Sequence, residues 1–225
     1  RGQGLHGEGS RHREAHHVLA RALLLGDRRG HGDPLAARLA LHDRRELLVL
    51  IGDLLAGVID RYARLAEAGR VELSVSPYAH PIIPLMLDMQ SAREAMPDVQ
   101  LPELEFYQGG EERARWHIRE GLNIFERYFG RKPLGCWPAE GSVSAATLEL
   151  LGEYGFRWAA TGETVLHNSL AAAPGGAAGA APDALFKGYR VRDPRPVCFF
   201  RGDNLSDKIG FTCSGWHADD AVANF

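Results

Sequence analysis

Cysteine is scarce in this chain. Cys136, Cys198 and Cys213 are the only three among 225 residues, and they are far apart. An odd count without a CxxC pair excludes a disulfide framework and a cysteine-built zinc site. It leaves reduced, mostly buried thiols in a cytosolic protein as the expectation. No apolar run is long enough to cross a bilayer, so a membrane-spanning role is not expected. There is no signal-peptide pattern, and a cytoplasmic location is expected. Charge of one sign is also lacking. The formal net charge is -3, which gives no electrostatic case for nucleic acid or an acidic membrane surface as partner. The chain has no initiator Met, and it stops at Phe225 without a turn or cap. A fragment of a longer protein is therefore expected. Oligomeric state is not legible.

What remains is an ordinary globular composition, 45% hydrophobic and 24% charged, in a chain long enough for one sizeable core. Residues 1–45 stand apart as an atypical leader rich in Arg, His and Gly. Six of the ten histidines lie in it: His6, His12, His16, His17, His31 and His42. None is paired with Cys or carboxylates at ligand spacing, so a metal site is not expected there. A solvated or poorly ordered leader, or a mistranslated GC-rich reading frame, fits the composition.

From Glu46 the pattern becomes regular. "ELLVLIGDLLAGVIDRYARLAEAG" has helical spacing and a stop at Gly69. "RVELSVS" alternates like a strand, with Leu73 and Val75 on one face. Pro77, Pro81 and Pro84 in "PYAHPIIPL" then interrupt regular structure. In "EERARWHIREGLNIFERYFG", Ala114, Ile118, Leu122, Phe125 and Phe129 share a helical face, closed by Gly130 and Pro133. The acidic run before it, "LPELEFYQGGEE", is expected to be a solvated loop. "LGCW" is a short apolar strand. Ser142 or Ser144 can cap "AATLELLGEY", which Gly155 ends. "FRWAAT" and "VCFF" are further strands. Between them, "AAAPGGAAGAAPDA" has the composition of a flexible insertion. Alternating helices and short buried strands predict an α/β domain with a parallel sheet.

In such folds the reacting groups lie beyond the carboxyl ends of the strands. Polar residues gather there four times. Tyr78 and His80 follow the first strand, and Trp137 and Glu140 the second. Thr161 and Glu163 follow the third, and Arg201, Asp203 and Asn204 the fourth. Carboxylates beside aromatics suit carbohydrate chemistry. Sugar rings stack on Trp and Tyr, and their hydroxyls bond to Asp, Asn, Arg and His. Glycosidic cleavage with retention uses two carboxyl groups about 5–5.5 Å apart, one as nucleophile. Glu140 stands where the N–H groups of a helix start would favour its charge. Pattern alone leaves it equally readable as a catalyst or as a plain helix-start carboxylate. His80 reads equally as a loop histidine bonded to backbone, and Trp137 as a core residue. Glu163 reads also as a solvated charge, and Arg201 with Asp203 as an ordinary ion pair.

"ELSVSPYAHPIIPLMLD", "GCWPAEGSVS", "FRWAATGETVL" and "FFRGDNLSDKIGFTCSGWHADDAVANF" resemble segments of glycoside hydrolase family 57, in its α-amylase and amylopullulanase-like branch. The resemblance covers roughly Leu54 to Phe225, and the WPAEG segment is its most specific part. It implies a partial distorted (β/α)7 barrel with parallel strands over residues 46–225, acting on α-glucans with retention and without a cofactor or metal. Glu140 matches the family's nucleophile. His80 matches a histidine near the sugar bound at the cleavage point, and Trp137 would help wall that subsite. Tyr78, Glu163, Arg201, Asp203 and Asp207 are assigned to substrate binding and site support. Two features depart from the family pattern. No early strand with a His-Gln-Pro-like segment is present. The later Asp that serves the family as acid/base would lie beyond Phe225. Two other functions compete: a non-catalytic glucan-binding or regulatory protein, and a metal-dependent polysaccharide deacetylase. The deacetylase would need a His/Asp metal set, and the sequence has none at the required spacing.

Overall fold

A computed structural model describes residues 41–104, 106–173, 183–191 and 196–224. Nearly all of the leader and most of the alanine- and glycine-rich stretch, residues 174–182, lie outside them. The chain groups into two compact units, divided between Arg70 and Val71.

The first unit contributes helices α1 (Leu41–Ala56) and α2 (Val58–Glu67). The sequence predicts one helix starting at Glu46. Instead helix already covers Leu41, the first described residue, and is interrupted for one residue at Gly57, across which helical hydrogen bonds continue (Gly57 N to Asp53 O, Arg61 N to Gly57 O). Gly69 takes φ +65 just past the end, the left-handed conformation that stops a helix.

The second unit holds β1 (Ser74–Val75), α3 (Ile83–Leu87), α4 (Ala92–Ala95), α5 (Gly110–Phe129), β2 (Gly135–Cys136), α6 (Ala145–Glu153), β3 (Trp158–Gly162), α7 (Glu163–Ala172), β4 (Val197–Arg201), α8 (Asp203–Gly210) and α9 (Ala218–Asn224). Among the described residues the four strands of the sheet are parallel and lie in sequence order, β1-β2-β3-β4. A doubly wound sheet reverses strand order partway across. An unreversed run of parallel strands with helices between them is instead the unit from which (β/α) barrels are built.

Strand β1 is far shorter than the predicted "RVELSVS". Its one neighbour among the described residues, β2, is confined between Pro133 and Pro138, which cannot donate to a ladder. One more bond, Trp137 N to Val75 O at 3.0 Å, carries the pairing a residue further. The "PYAHPIIPL" stretch also differs from expectation. Pro84 sits in the first turn of α3 rather than preventing a helix, because the missing N–H of a first-turn proline has no helical partner to lose.

The pleat sorts the sheet into two faces. Val75, Cys136, Ala159 and Cys198 lie in one row across the four strands. They meet Ile83, Ala114, Ile118, Val143, Leu148, Leu150, Leu151 and Phe156 in the core. Helix α5 buries Ala114, Ile118 and Phe125, as its spacing predicts, while Leu122 and Phe129 of the predicted face are only partly buried and Gly121 joins the buried stripe. Residues an odd number of steps out of this row, Trp158, Ala160, Phe199 and Arg201, point to the opposite face. So does Trp137, one past Cys136. Burial pushes the Cys136 thiol up to about 12 and Cys198 to about 11, which leaves both unreactive near neutrality.

Candidate active site

The rim begins where the segment after β1 turns. Tyr78 is fixed by His117 on α5. Its N–H donates to His117 O at 3.0 Å, and its carbonyl accepts from His117 Nδ1 at 2.7 Å. A carbonyl can only accept, so Nδ1 carries the proton. The Tyr78 ring stands edge-on to Trp116, centroids 5.6 Å apart. Gly121 eases this approach: a Cβ there would lie 3.1 Å from Tyr78 N and 3.4 Å from Ser76 O, tighter than ordinary contact. Ala79 and His80 follow, both at φ 58.

After β2 the chain makes a 3-10 turn at Ala139–Gly141, in which Glu140 has φ 54 and Gly141 φ 66. The turn is tied down from three directions. Gly141 N donates to Pro138 O at 2.9 Å, Ser142 Oγ donates to Ala139 O at 2.7 Å, and the buried Thr161 hydroxyl donates to Gly141 O. The turn presents the Glu140 carboxylate to His80. Nε2 and Oε1 are 2.9 Å apart, with side chains 55% and 75% exposed.

Ala79, His80 and Glu140 are the only non-glycine residues with positive φ among those described. Each costs on the order of 1–3 kcal/mol in the left-handed region. A contact as exposed as His80–Glu140 returns at most about 1 kcal/mol. The contact therefore does not account for the strain on stability grounds. Strain held at one point by the surrounding fold is the pattern of a functional site.

The helix-start position read from sequence for Glu140 is not what the structure shows. Helix α6 starts at Ala145, with Ser144 as its cap, accepting from Thr147 N at 3.1 Å. The carboxylate that meets this helix start is Glu94, whose Oε2 accepts from Ala145 N at 2.9 Å. Glu140 lies a turn earlier, outside the helix.

A second group forms at the ends of β3 and β4. The Arg201 guanidinium lies over the Trp137 ring, 5.5 Å from its centroid, a cation–π distance. Arg201 also reaches Asp203 Oδ1 at 3.9 Å. Asp203 Oδ2 accepts from Thr164 N at 3.4 Å and Thr164 Oγ1 at 3.3 Å, while Asp203 N donates to Glu163 Oε2 at 3.3 Å. The carboxylates at the starts of α7 and α8 thus each accept from the other helix's first N–H groups. Glu163 Oε1 also stands 3.9 Å from His167 Nε2. Asp207 sits one turn into α8, exposed, with its backbone carbonyl in the helix ladder.

The structure thus pairs His80 with Glu140, and joins Trp137, Arg201, Asp203 and Glu163 in a chain. The two groups meet through Thr161 and the 137–141 segment. Tyr78 turns its ring to Trp116. His117 and Thr164 had no role in the sequence reading, and Thr161 had only a place on the rim. For His117 a signal existed: Gly121, a glycine on the buried stripe of α5, marks a close backbone approach.

An α/β chain with strained acidic and imidazole groups at its strand ends is a candidate enzyme by class. The model for glycosyl hydrolase family 57 matches residues 48–225, and the chain belongs to that family. No curated protein sequence matches the chain. Among solved structures it resembles the GH57-type branching enzyme of the hyperthermophilic archaeon Pyrococcus horikoshii, at 14% identity and a TM-score of 0.50, over 93% of this chain and 36% of that one. It also resembles the α-amylase AmyC of Thermotoga maritima (15% identity, TM-score 0.48, 91% of this chain and 35% of that one). A third likeness is the 4-alpha-glucanotransferase of Thermococcus litoralis (19%, 0.46, 74% and 21%). The chain spans between 21% and 36% of the length of these three.

Proposed function

We propose that this chain carries the nucleophile half of a retaining glycosidase or transglycosylase acting on α-glucans, with Glu140 as nucleophile. One observation carries the reading. Glu140 is held at left-handed φ in the short 3-10 turn Ala139–Gly141, outside any α-helix, with its carboxylate exposed and 2.9 Å from His80 Nε2. Glu140 Oε attacks the anomeric carbon as the glycosidic C–O bond breaks, giving a glycosyl-enzyme that water or an acceptor sugar then resolves. His80 donates from Nε2 and orients the carboxylate. Trp137, flanked by Arg201, offers a sugar-stacking wall. Asp203 and Glu163 hold Arg201 and the two helix starts, and their engaged oxygens make them site support. The proton donor is assigned to none of them.

Family membership supports glycosyl hydrolase chemistry. The similar branching enzyme, amylase and glucanotransferase make α-glucans the substrate class to test. The experiment is trapping with 5-fluoro-α-glucosyl fluoride. Fluoride leaves without a proton donor, so the nucleophile alone forms the bond. A glycosyl adduct on the peptide containing Glu140, found by mass spectrometry and absent in Glu140→Gln, is expected. An adduct elsewhere, or none while glucan binding persists, overturns the nucleophile and favours a non-catalytic glucan binder.

A further inference from the structure

We propose that His117 is a positioning residue for the His80–Glu140 pair, acting through the backbone of Tyr78. Its catalytic consequence rests on the reading of Glu140 given above, but the structural claim does not. Tyr78 is the last residue before the left-handed dipeptide Ala79–His80. Both of its backbone polar groups go to one residue, N–H to His117 O at 3.0 Å and C=O to His117 Nδ1–H at 2.7 Å. The next turn is closed by His80 N to Pro77 O at 3.2 Å. A chain gripped at Tyr78 and closed at His80 leaves the imidazole little freedom to leave Glu140.

Burial does not explain this grip. Tyr78 is 43% exposed and His117 only half-buried, so the grip is not a by-product of core packing. The grip is also prepared on the helix side. Gly121 leaves room for Tyr78 N, and Trp116 takes the Tyr78 ring. Two successive turns of α5 are thus shaped to hold one residue of the rim. The part His117 supplies that another helix residue would lack is the Nδ1–H donor. Asn can place an N–H at a similar reach, and Leu cannot.

The test needs no activity. The ring nitrogens of His80 report its tautomer and hydrogen bond by long-range proton–nitrogen correlation, with Glu140→Ala as the reference for a released imidazole. His117→Leu should move the His80 ring resonances to those of Glu140→Ala, and His117→Asn should leave them at the wild-type positions. In a protein that turns over glucan, His117→Leu should also lower kcat by about 10–100-fold with KM nearly unchanged, as misplacement of a reacting group does, and His117→Asn should restore it. Wild-type His80 resonances in His117→Leu would overturn the proposal. So would His117→Asn behaving like His117→Leu, since the donor would then be irrelevant. Loss of the fold in both variants would overturn it too, because His117 would then hold the domain rather than the site. A wild-type protein inert towards glucans would remove the proposed function and leave the His80 comparison standing.

Discussion

The two sides of the strand ends differ in kind. Below, on the helix-facing side of the sheet, Cys136, Ala159 and Leu151 are fully buried, with Ile118 and Cys198 nearly so, and the helices over them follow their sequence periodicity. Above, at the rim, Ala79, His80 and Glu140 are exposed and strained, and hydrogen bonds hold His80 to Pro77 O and to Glu140. The first region is stabilised by dry packing. The second is held against its own conformational preference by the first. The difference separates residues whose loss should cost stability from residues whose loss should cost chemistry.

The largest effect that would sharpen this contrast is Glu140→Gln. Turnover of α-glucan should fall on the order of 10³-fold or more, with the urea midpoint unchanged, since an exposed pair contributes little to stability. Leu151→Ala should do the reverse in kind. A fully buried leucine removed from the core costs about 2–5 kcal/mol, read as a lowered urea midpoint. The contrast breaks if either variant shows the other's signature.

A pH effect belongs to the packed side. The Cys136 thiol rises from 9.0 to about 12 through burial. The folded protein therefore keeps a proton that the unfolded chain has lost. Its contribution is whole below pH 9.0 and disappears as pH rises towards about 12. Alkaline urea titrations should show this decline, weakened in Cys136→Ala relative to that variant's own neutral stability. At about pH 8, a maleimide should label the partly exposed Cys213 well before Cys136 and Cys198.

The smallest effect lies at the rim. Ala79→Gly removes the Cβ from a residue at φ 58 and should stabilise by about 0.5–1 kcal/mol, the relief of left-handed strain less the added freedom of the unfolded chain. A destabilised Ala79→Gly would show that the rim is not strained in this sense.

Much of the packed side was legible in the sequence because it obeys periodicity. The stripe Ala114, Ile118, Phe125, the stops at Gly130 and Gly155, and the cap at Ser144 all follow from local rules. The strands were legible as strands but not in length, since the extent of β1 depends on prolines around its partner. The rim was legible only in outline. Sequence placed His80 and Glu140 in loops after strands. It misplaced Glu140 at a helix start, because the six residues of "EGSVSA" look like the entry to α6 until Ser144 and Glu94 are seen to take its N–H groups.

By itself, then, the sequence determined the alternation of elements, the buried faces and the residue types at the strand ends. These are short-range consequences of hydrophobic spacing, glycine and proline. Only the tertiary structure decided which of those residues touch. The 2.9 Å approach of His80 to Glu140 spans 60 residues of chain. It exists because two parallel strands lie side by side and because Gly121 lets α5 close on Tyr78. Such contacts depend on the packing of whole elements, and no local pattern encodes them.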